Sequence, residues 1–264
     1  MKLKHLENMK HWNTTLQNEF PEYMYTHHRD DKTGSKKYIS NYRMPVDIFE
    51  NKRKYSKLLH GSEYYPLDVN SLSCTDMVIV KKPKSEGGNG HFITKVEDLK
   101  DTDIERCDIQ QLIHPLLIDG HKFHLRILMG YTCTNIYLPW QFALVLVNPH
   151  KYIRGDMTTE LTNTCQNGTE NIWDTSAFVE VLKEKNMYDG FIKDIEQLKE
   201  YLKTRYCNLC KNNQFDIHGL DLIISENGKP FIMETNPYWY SGKDHGWENK
   251  IKMFKTIMTS ITIV

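Results

Sequence analysis

Asp221, Glu234 and Asn236 are the residues of this 264-residue chain whose types and spacing most directly suggest chemistry. They lie in Gly219–Pro237, where two apolar runs, Leu220–Ile224 and Phe231–Met233, flank Glu226-Asn227-Gly228-Lys229. Asn-Gly between β-rich runs favours a type I′ turn, because both residues tolerate positive φ. Such a turn sets the register: Glu226 opposite Lys229, Ile224 opposite Phe231, and Asp221 opposite Glu234. Carboxylates facing one another across a strand pair repel, and Asn236 projects from the same face as Glu234. Two carboxylates and an amide oxygen suit Mg²⁺, a hard cation completed by water and substrate phosphates. The plainer alternative is a hairpin with a wet polar face. If repulsion rules the metal-free pair, neutralising Glu234 leaves the free protein no less stable.

Further groups could serve a phosphate. An expected strand at Met77–Lys82 ends in Lys81-Lys82-Pro83 and a Gly-rich loop, Gly87-Gly88-Asn89-Gly90, before His91-Phe92-Ile93-Thr94. Strand, loop and strand make a flap whose glycines let backbone N–H groups approach phosphate oxygens. Lys82 at the strand end supplies a point charge. This is not a Walker A loop, since no Gly-Lys-Ser/Thr is present and a strand follows. A solubilised hairpin reads equally well from these residues alone. In an extended His121–Met129, Lys122, His124 and Arg126 share one face and Phe123, Leu125 and Ile127 the other. The first face is cationic and suits a cleft. Asp108–Ile113 reads as a short strand, either buried or presenting backbone groups to a nucleotide base.

These residues need elements to hold them. Asp47-Ile-Phe-Glu50 has capping-box spacing and Gly61 supplies a stop, which predicts a helix over Ile48–Leu59. Ile136–Val147 reads as two β-rich runs about Pro139, and Leu161-Thr162-Asn163 as a polar turn. Helices are expected over Thr175–Lys185, Ile192–Cys210 and Trp247–Met258. In the second, Ile195, Leu198, Leu202, Tyr206 and Leu209 keep helical spacing and read as core. Residues 1–46 are polar and aromatic with weak periodicity. From Arg29 to Lys57, nine Lys or Arg stand against four Asp or Glu. That excess could face an acidic partner or simply be solvated.

The totals narrow the class. A chain of this length builds one large domain or two small ones. Hydrophobic residues at 39% and charged residues at 26% suit a globular protein,. The zero net charge gives no field that would commit it to nucleic acid or a membrane surface. No apolar run approaches the ~18 residues of a membrane span, and the start lacks a signal peptide's apolar stretch. Six thinly spread cysteines suit reduced thiols and a cytoplasmic protein,. Cys207-Asn-Leu-Cys210 lacks further zinc ligands at defined spacing and reads as helix surface and core.

Taken in order, Lys82-Pro83 with its Gly loop, Ile109-Gln110, Pro115 through Arg126, Leu161-Thr-Asn163 and Asp221…Glu234-Thr-Asn236-Pro237 resemble the tubulin–tyrosine ligase-like family of the ATP-grasp superfamily. Lys52-Arg-Lys-Tyr-Ser-Lys-Leu-Leu59 with Tyr65-Pro66 is similar to that family's approach to its ATP site. The resemblance spans about Lys52 to Asn236; single motifs are weak, but their order is specific. It implies an α+β ATP-grasp fold, two lobes enclosing ATP, with a reduced N-terminal region over residues 1–68 and the lobes over 69–264. It implies that Lys82 touches ATP phosphates, that Gln110, Gln111 and Ile113 lie beside adenine, and that Lys122 lines the nucleotide site. Arg126 would face phosphate or a substrate carboxylate, Thr162 and Asn163 ribose and phosphates, and Lys52 a further nucleotide contact. Asp221, Glu234 and Asn236 would hold Mg²⁺. The implied activity joins an amino acid to a protein carboxylate, as on tubulin's acidic tails, through an acyl phosphate. A small-molecule ligase and a nucleotide-binding module without catalysis are the alternatives. Three departures bear on this: His124 stands where the family usually has Asp at the ribose, Glu160 where it has His, and Trp140 where an arginine is expected.

Overall fold

The computed structural model describes residues 23–26, 37–40, 51–82, 90–162, 167, 171–209, 214–236 and 247–260. Two sheets organise them. The smaller has order β4-β3-β5, from β3 (Met77–Lys81), β4 (Phe92–Lys95) and β5 (Asp108–Gln111), with α2 (Asp101–Arg106) before β5. The larger runs β1-β2-β11-β7-β9-β10, with β12 on β11 and β6 and β8 on β7. Its centre is β7 (His121–Thr132), joined to β9 (Leu144–Lys151) and β11 (Gln214–Ile224), with β12 (Pro230–Asn236) beyond and the short α3 (Met157–Glu160) following β9. The short strands are β1 (Tyr23–Thr26), β2 (Lys37–Ser40), β6 (Leu117–Ile118), β8 (Ile136–Tyr137) and β10 (Ile172–Trp173).

Alternation along β7 decides which way the large sheet faces. Phe123, Leu125 and Ile127 are no more than 1% exposed. They belong to a core shared with α4 (Thr175–Glu184), α5 (Tyr188–Tyr206) and α6 (Trp247–Ser260). Phe178 bridges Phe123 and Phe191, with ring centroids 5.6 and 5.0 Å apart. Gly130 is needed where β7 meets α6: a Cβ there would lie 2.4 Å from Ile257 Cγ2. Of the predicted stripe, Ile195, Leu198, Leu202 and Tyr206 are fully buried, while Leu209, in the 3₁₀ turn past the end of α5, is only partly buried against the core.

Helix boundaries differ from the sequence expectation: α5 runs Tyr188–Tyr206 rather than the expected Ile192–Cys210. Helix α1 is Lys52–Leu59, and Asn51 is its N-cap, accepting from Arg53 N and Lys54 N at 3.1 and 3.3 Å. The extended backbone of Asn51 (φ −103°, ψ 103°) prevents a helix from running through from Ile48; residues 47–50 lie outside the described set. Gly61, at φ +77°, does mark the stop.

The hairpin differs more instructively. Ile224 pairs with Pro230 and Ile223 with Phe231, one step from the type I′ register. Gly228 alone in the turn has positive φ, at +85°. Gly228 N donates to Ser225 O and Ser225 N to Lys229 O, the pattern of a three-residue loop closed by a left-handed glycine. An irregularity between Asp221 and Leu222 then restores the expected pairing, so Asp221 does face Glu234.

Residues before 69 do not form a lobe of their own among those described. Strand β2 pairs in parallel with β11, and Tyr55 and Leu59 of α1 lie in the large-sheet core. The chain then crosses to the small sheet and returns through Leu112–Leu116. Among the described residues, no helix is long and apolar enough to cross a membrane.

Candidate active site

A row of charged side chains crosses β7, β11 and β12. Arg126 is paired with Asp221 across β7 and β11, and Asp221 with Glu234 across β11 and β12. Arg126 grips Asp221 with both prongs, Nε to Oδ1 at 2.7 Å and an Nη to Oδ2 at 2.6 Å. Glu234 accepts from Lys52 Nζ of α1 at 3.3 Å. Asn236 Nδ2 donates to both acids, to Asp221 Oδ2 at 3.2 Å and to Glu234 Oε1 at 3.3 Å. The expected trio therefore converges, but its acids do not face one another uncompensated. Burial alone would raise the Glu234 pKa; Lys52, Lys81, Arg126 and Asn236 instead bring it down to about 2.

The opposite wall of the cleft comes from the small sheet. Ile79 and Lys81 alternate on β3 toward it, joined by Gln110 of β5 and His91 at the root of the flap. Lys81 is buried and donates to Gln110 Oε1 at 2.7 Å. Gln110 in turn donates to Asp108 at 2.6 Å and to the Tyr65 hydroxyl. Desolvation lowers the Lys81 pKa, and Asp108 and Glu234 oppose that shift. Lys82, the lysine that the motif singles out, is instead exposed, its side chain beside Gly90. Period-two alternation from Ile79 is the signal that could have selected Lys81.

Gln111, Ile113, Lys122, Thr162 and Glu234 also line this cleft, with Glu160 and Met233. Lys122 makes a buried ion pair with Glu160, so the residue standing in place of the family's histidine neutralises that lysine. Glu160 also accepts from the Tyr152 hydroxyl at 2.9 Å and Gly155 N at 3.1 Å. His124 is buried, with Nδ1 2.5 Å from Thr162 Oγ1 and Nε2 3.7 Å from Asp221 Oδ1. Burial, and to a lesser extent Arg126 and Lys122, push its pKa down to about 4 against Asp221 and Glu234. Its Nε2 has no hydrogen-bond partner. Trp140 packs edge-on against Phe191 at 5.2 Å, a core role. Asn163 lies outside the described residues, as do residues 83–89 of the Gly-rich loop.

The donor set suits a hard cation: two carboxylates and an amide, with no thiolate or imidazole among the three. Among the described residues, no group of three or more His, Cys, Asp or Glu side chains could hold a metal. Any ion here would therefore rely on Asn236 and on oxygens brought by a substrate.

Comparison with known proteins now identifies the lineage. The pattern that defines the tubulin-tyrosine ligase family matches residues 3–238. The chain belongs to the tubulin-tyrosine ligase family. Its two-sheet α+β architecture is of the ATP-grasp type that this family implies. Among similar curated proteins, the protein polyglycylase TTLL10 of Rattus norvegicus is 24% identical over 241 residues, covering 69% of this chain and 35% of the relative. The protein polyglycylase TTLL10 of Mus musculus is 25% identical over the same length, covering 69% and 34%. The chain thus spans about a third of the length of the curated relatives it matches.

Proposed function

We propose that this member of the family is an ATP- and Mg²⁺-dependent carboxylate–amine ligase that adds an amino acid to an acidic protein tail. The observation that carries the proposal is the cleft itself. Glu234 lines its large-sheet wall with the buried Lys81 of the small sheet on the other, and Asn236 links Glu234 to Asp221 beside it. Bound at the trio, Mg²⁺ would neutralise charge on the nucleotide phosphates. The chain's own residues do the rest. Lys81 supplies fixed positive charge, and Gln110, held by Asp108, aims the Lys81 ammonium,. Gln111 and Ile113 line the cleft on the side proposed for a base, and Thr162, backed by the buried His124, on the side proposed for a ribose. Arg126 is partly exposed beside Asp221, and its fork could pass from Asp221 to a substrate carboxylate or phosphate. The substrate carboxylate attacks the terminal phosphorus and ADP leaves. The amine then attacks the acyl carbon and phosphate leaves. No enzyme nucleophile is required.

The polyglycylase names of the relatives make glycine the first donor to test. A cytoplasmic setting is part of the proposal, supported by the free thiols of Cys74, Cys133 and Cys207,. The deciding experiment measures ADP release by the purified protein with Mg·ATP, each amino acid, and tubulin. Release that needs both an amino acid and the protein acceptor is expected. Release with small molecules alone would favour a small-molecule ligase. ATP binding without release would leave a nucleotide-binding module.

A further inference from the structure

His91 occupies a position that the proposed reaction leaves unassigned. It follows Gly90, whose φ of +77° turns the chain out of the flap. It directly precedes β4. The β3–β4 ladder pairs Val80 with Phe92 and Ile79 with Ile93, so continuing it by one step sets His91 opposite Lys81. Residues opposite one another share a face. Ile79, Lys81 and His91 accordingly all line the cleft, with Glu234 on the facing wall. The ring therefore shares the cleft with the buried Lys81 and with Glu234 of the acid–amide trio.

We propose that His91 is a phosphate-contacting residue, donating a ring N–H from the root of the flap to the terminal phosphoryl group of the bound nucleotide. The inference rests on the ligase reading of the cleft. Its physical reason is the crowding of positive charge there. Lys81 and Lys52 already bring two ammonium groups to this end, and a third full cation would be repelled in the free protein. An imidazole meets the need for another donor without that penalty. Burial, then Lys81 and Lys52, bring the His91 pKa down to about 4 against Glu234. The ring is therefore neutral near pH 7 and carries one N–H donor.

The test is calorimetric binding of Mg·ATP, Mg·ADP and AMP to the full chain, wild type against His91→Ala and His91→Gln. For His91→Ala, ATP affinity should fall about 10-fold or more, as for a lost hydrogen bond to a charged group. ADP affinity should fall less, and AMP affinity should not change. His91→Gln keeps an N–H donor and should restore most of the ATP affinity. Thermal melts of both nucleotide-free variants, expected to match wild type, check folding. Equal losses for all three nucleotides would place the ring at the base or ribose and overturn the inference, as would an unchanged ATP affinity. A wild-type protein that binds no nucleotide overturns the ligase reading itself, and this inference with it.

Discussion

Glu234 shows how a single carboxylate's surroundings set the sign of a mutation. Facing Asp221 across a strand pair, it would be a site of repulsion if nothing else were near. Lys52 lies 3.3 Å from it and Arg126 holds Asp221 at 2.6 Å. Each acid therefore has its own cation, and the free protein gains from both charges. Glu234→Gln is expected to destabilise the nucleotide-free protein rather than relieve it. The Glu234 side chain is 33% exposed, so solvent screening holds the loss to about 1 kcal/mol. In a chain of this size that lowers Tm by about 2–4 °C. The pH dependence follows from the depressed pKa. Stability from ionised Glu234 is fully present above its ordinary value of 4.5 and is lost as pH falls through about 2,. Melts of wild type and variant at pH 7 should differ, and the difference should shrink on titration from pH 4.5 toward 2. A variant that melts higher than wild type at pH 7 would mean that the acids' mutual repulsion outweighs their cations.

At the scale of elements, the question is what holds α1 and its Lys52 against β12. Thr235 points away from the cleft, between the cleft-facing Glu234 and Asn236. Its hydroxyl meets Tyr206 of α5 at 3.0 Å and also contacts Tyr55 of α1. Tyr206 donates to Tyr55 at 3.1 Å. One threonine thus ties two helices to the strand that carries the metal-binding candidates. Thr235→Val leaves buried hydroxyls short of a partner, at a cost of about 1–3 kcal/mol. A Tm lower by several degrees with unchanged Mg·ATP affinity is expected. An equal fall in affinity would show that the staple, and not only the cleft face, sets the position of Glu234. This knot was invisible in the sequence, because its members are 29 to 180 residues apart. Elements with strong local signals were legible: β7, the hairpin, and the apolar stripe of α5. Four-residue β1 and β2 were not, since they are held by distant partners, β2 by parallel pairing with β11, and local propensity hardly marks such strands. In the hairpin, Asn-Gly correctly announced a turn but not its type. The facing of Asp221 and Glu234 survives only because a one-step difference at the turn and an irregularity in the ladder cancel.

The molecule as a whole is two sheets meeting over one cleft, and that arrangement decides which lysine matters. The motif Lys81-Lys82-Pro83 cannot itself say which lysine meets the substrate, since the two side chains leave β3 on opposite faces. Packing of the sheets sets them apart: Lys81 points at the seam, within 3.5 Å of Met233 O across the cleft, while Lys82 is exposed. A ligand that fills the seam binds both walls and stabilises the folded state by RT ln(1 + [L]/Kd), about 2.7 kcal/mol at a hundredfold excess over Kd. Mg·ATP should therefore raise the wild-type Tm by about 5–10 °C. Lys81→Met should abolish most of that rise, because it removes the charge from the seam. Its effect on the nucleotide-free melt should be small, since shedding a desolvated cation offsets the bond lost to Gln110,. Lys82→Met should keep the full rise. Scanning fluorimetry of the three proteins with and without Mg·ATP separates these outcomes. A rise that survives Lys81→Met but disappears in Lys82→Met would mean that the flap lysine, and not the buried one, carries the phosphate contact, and that the lobes must rearrange before the nucleotide is held.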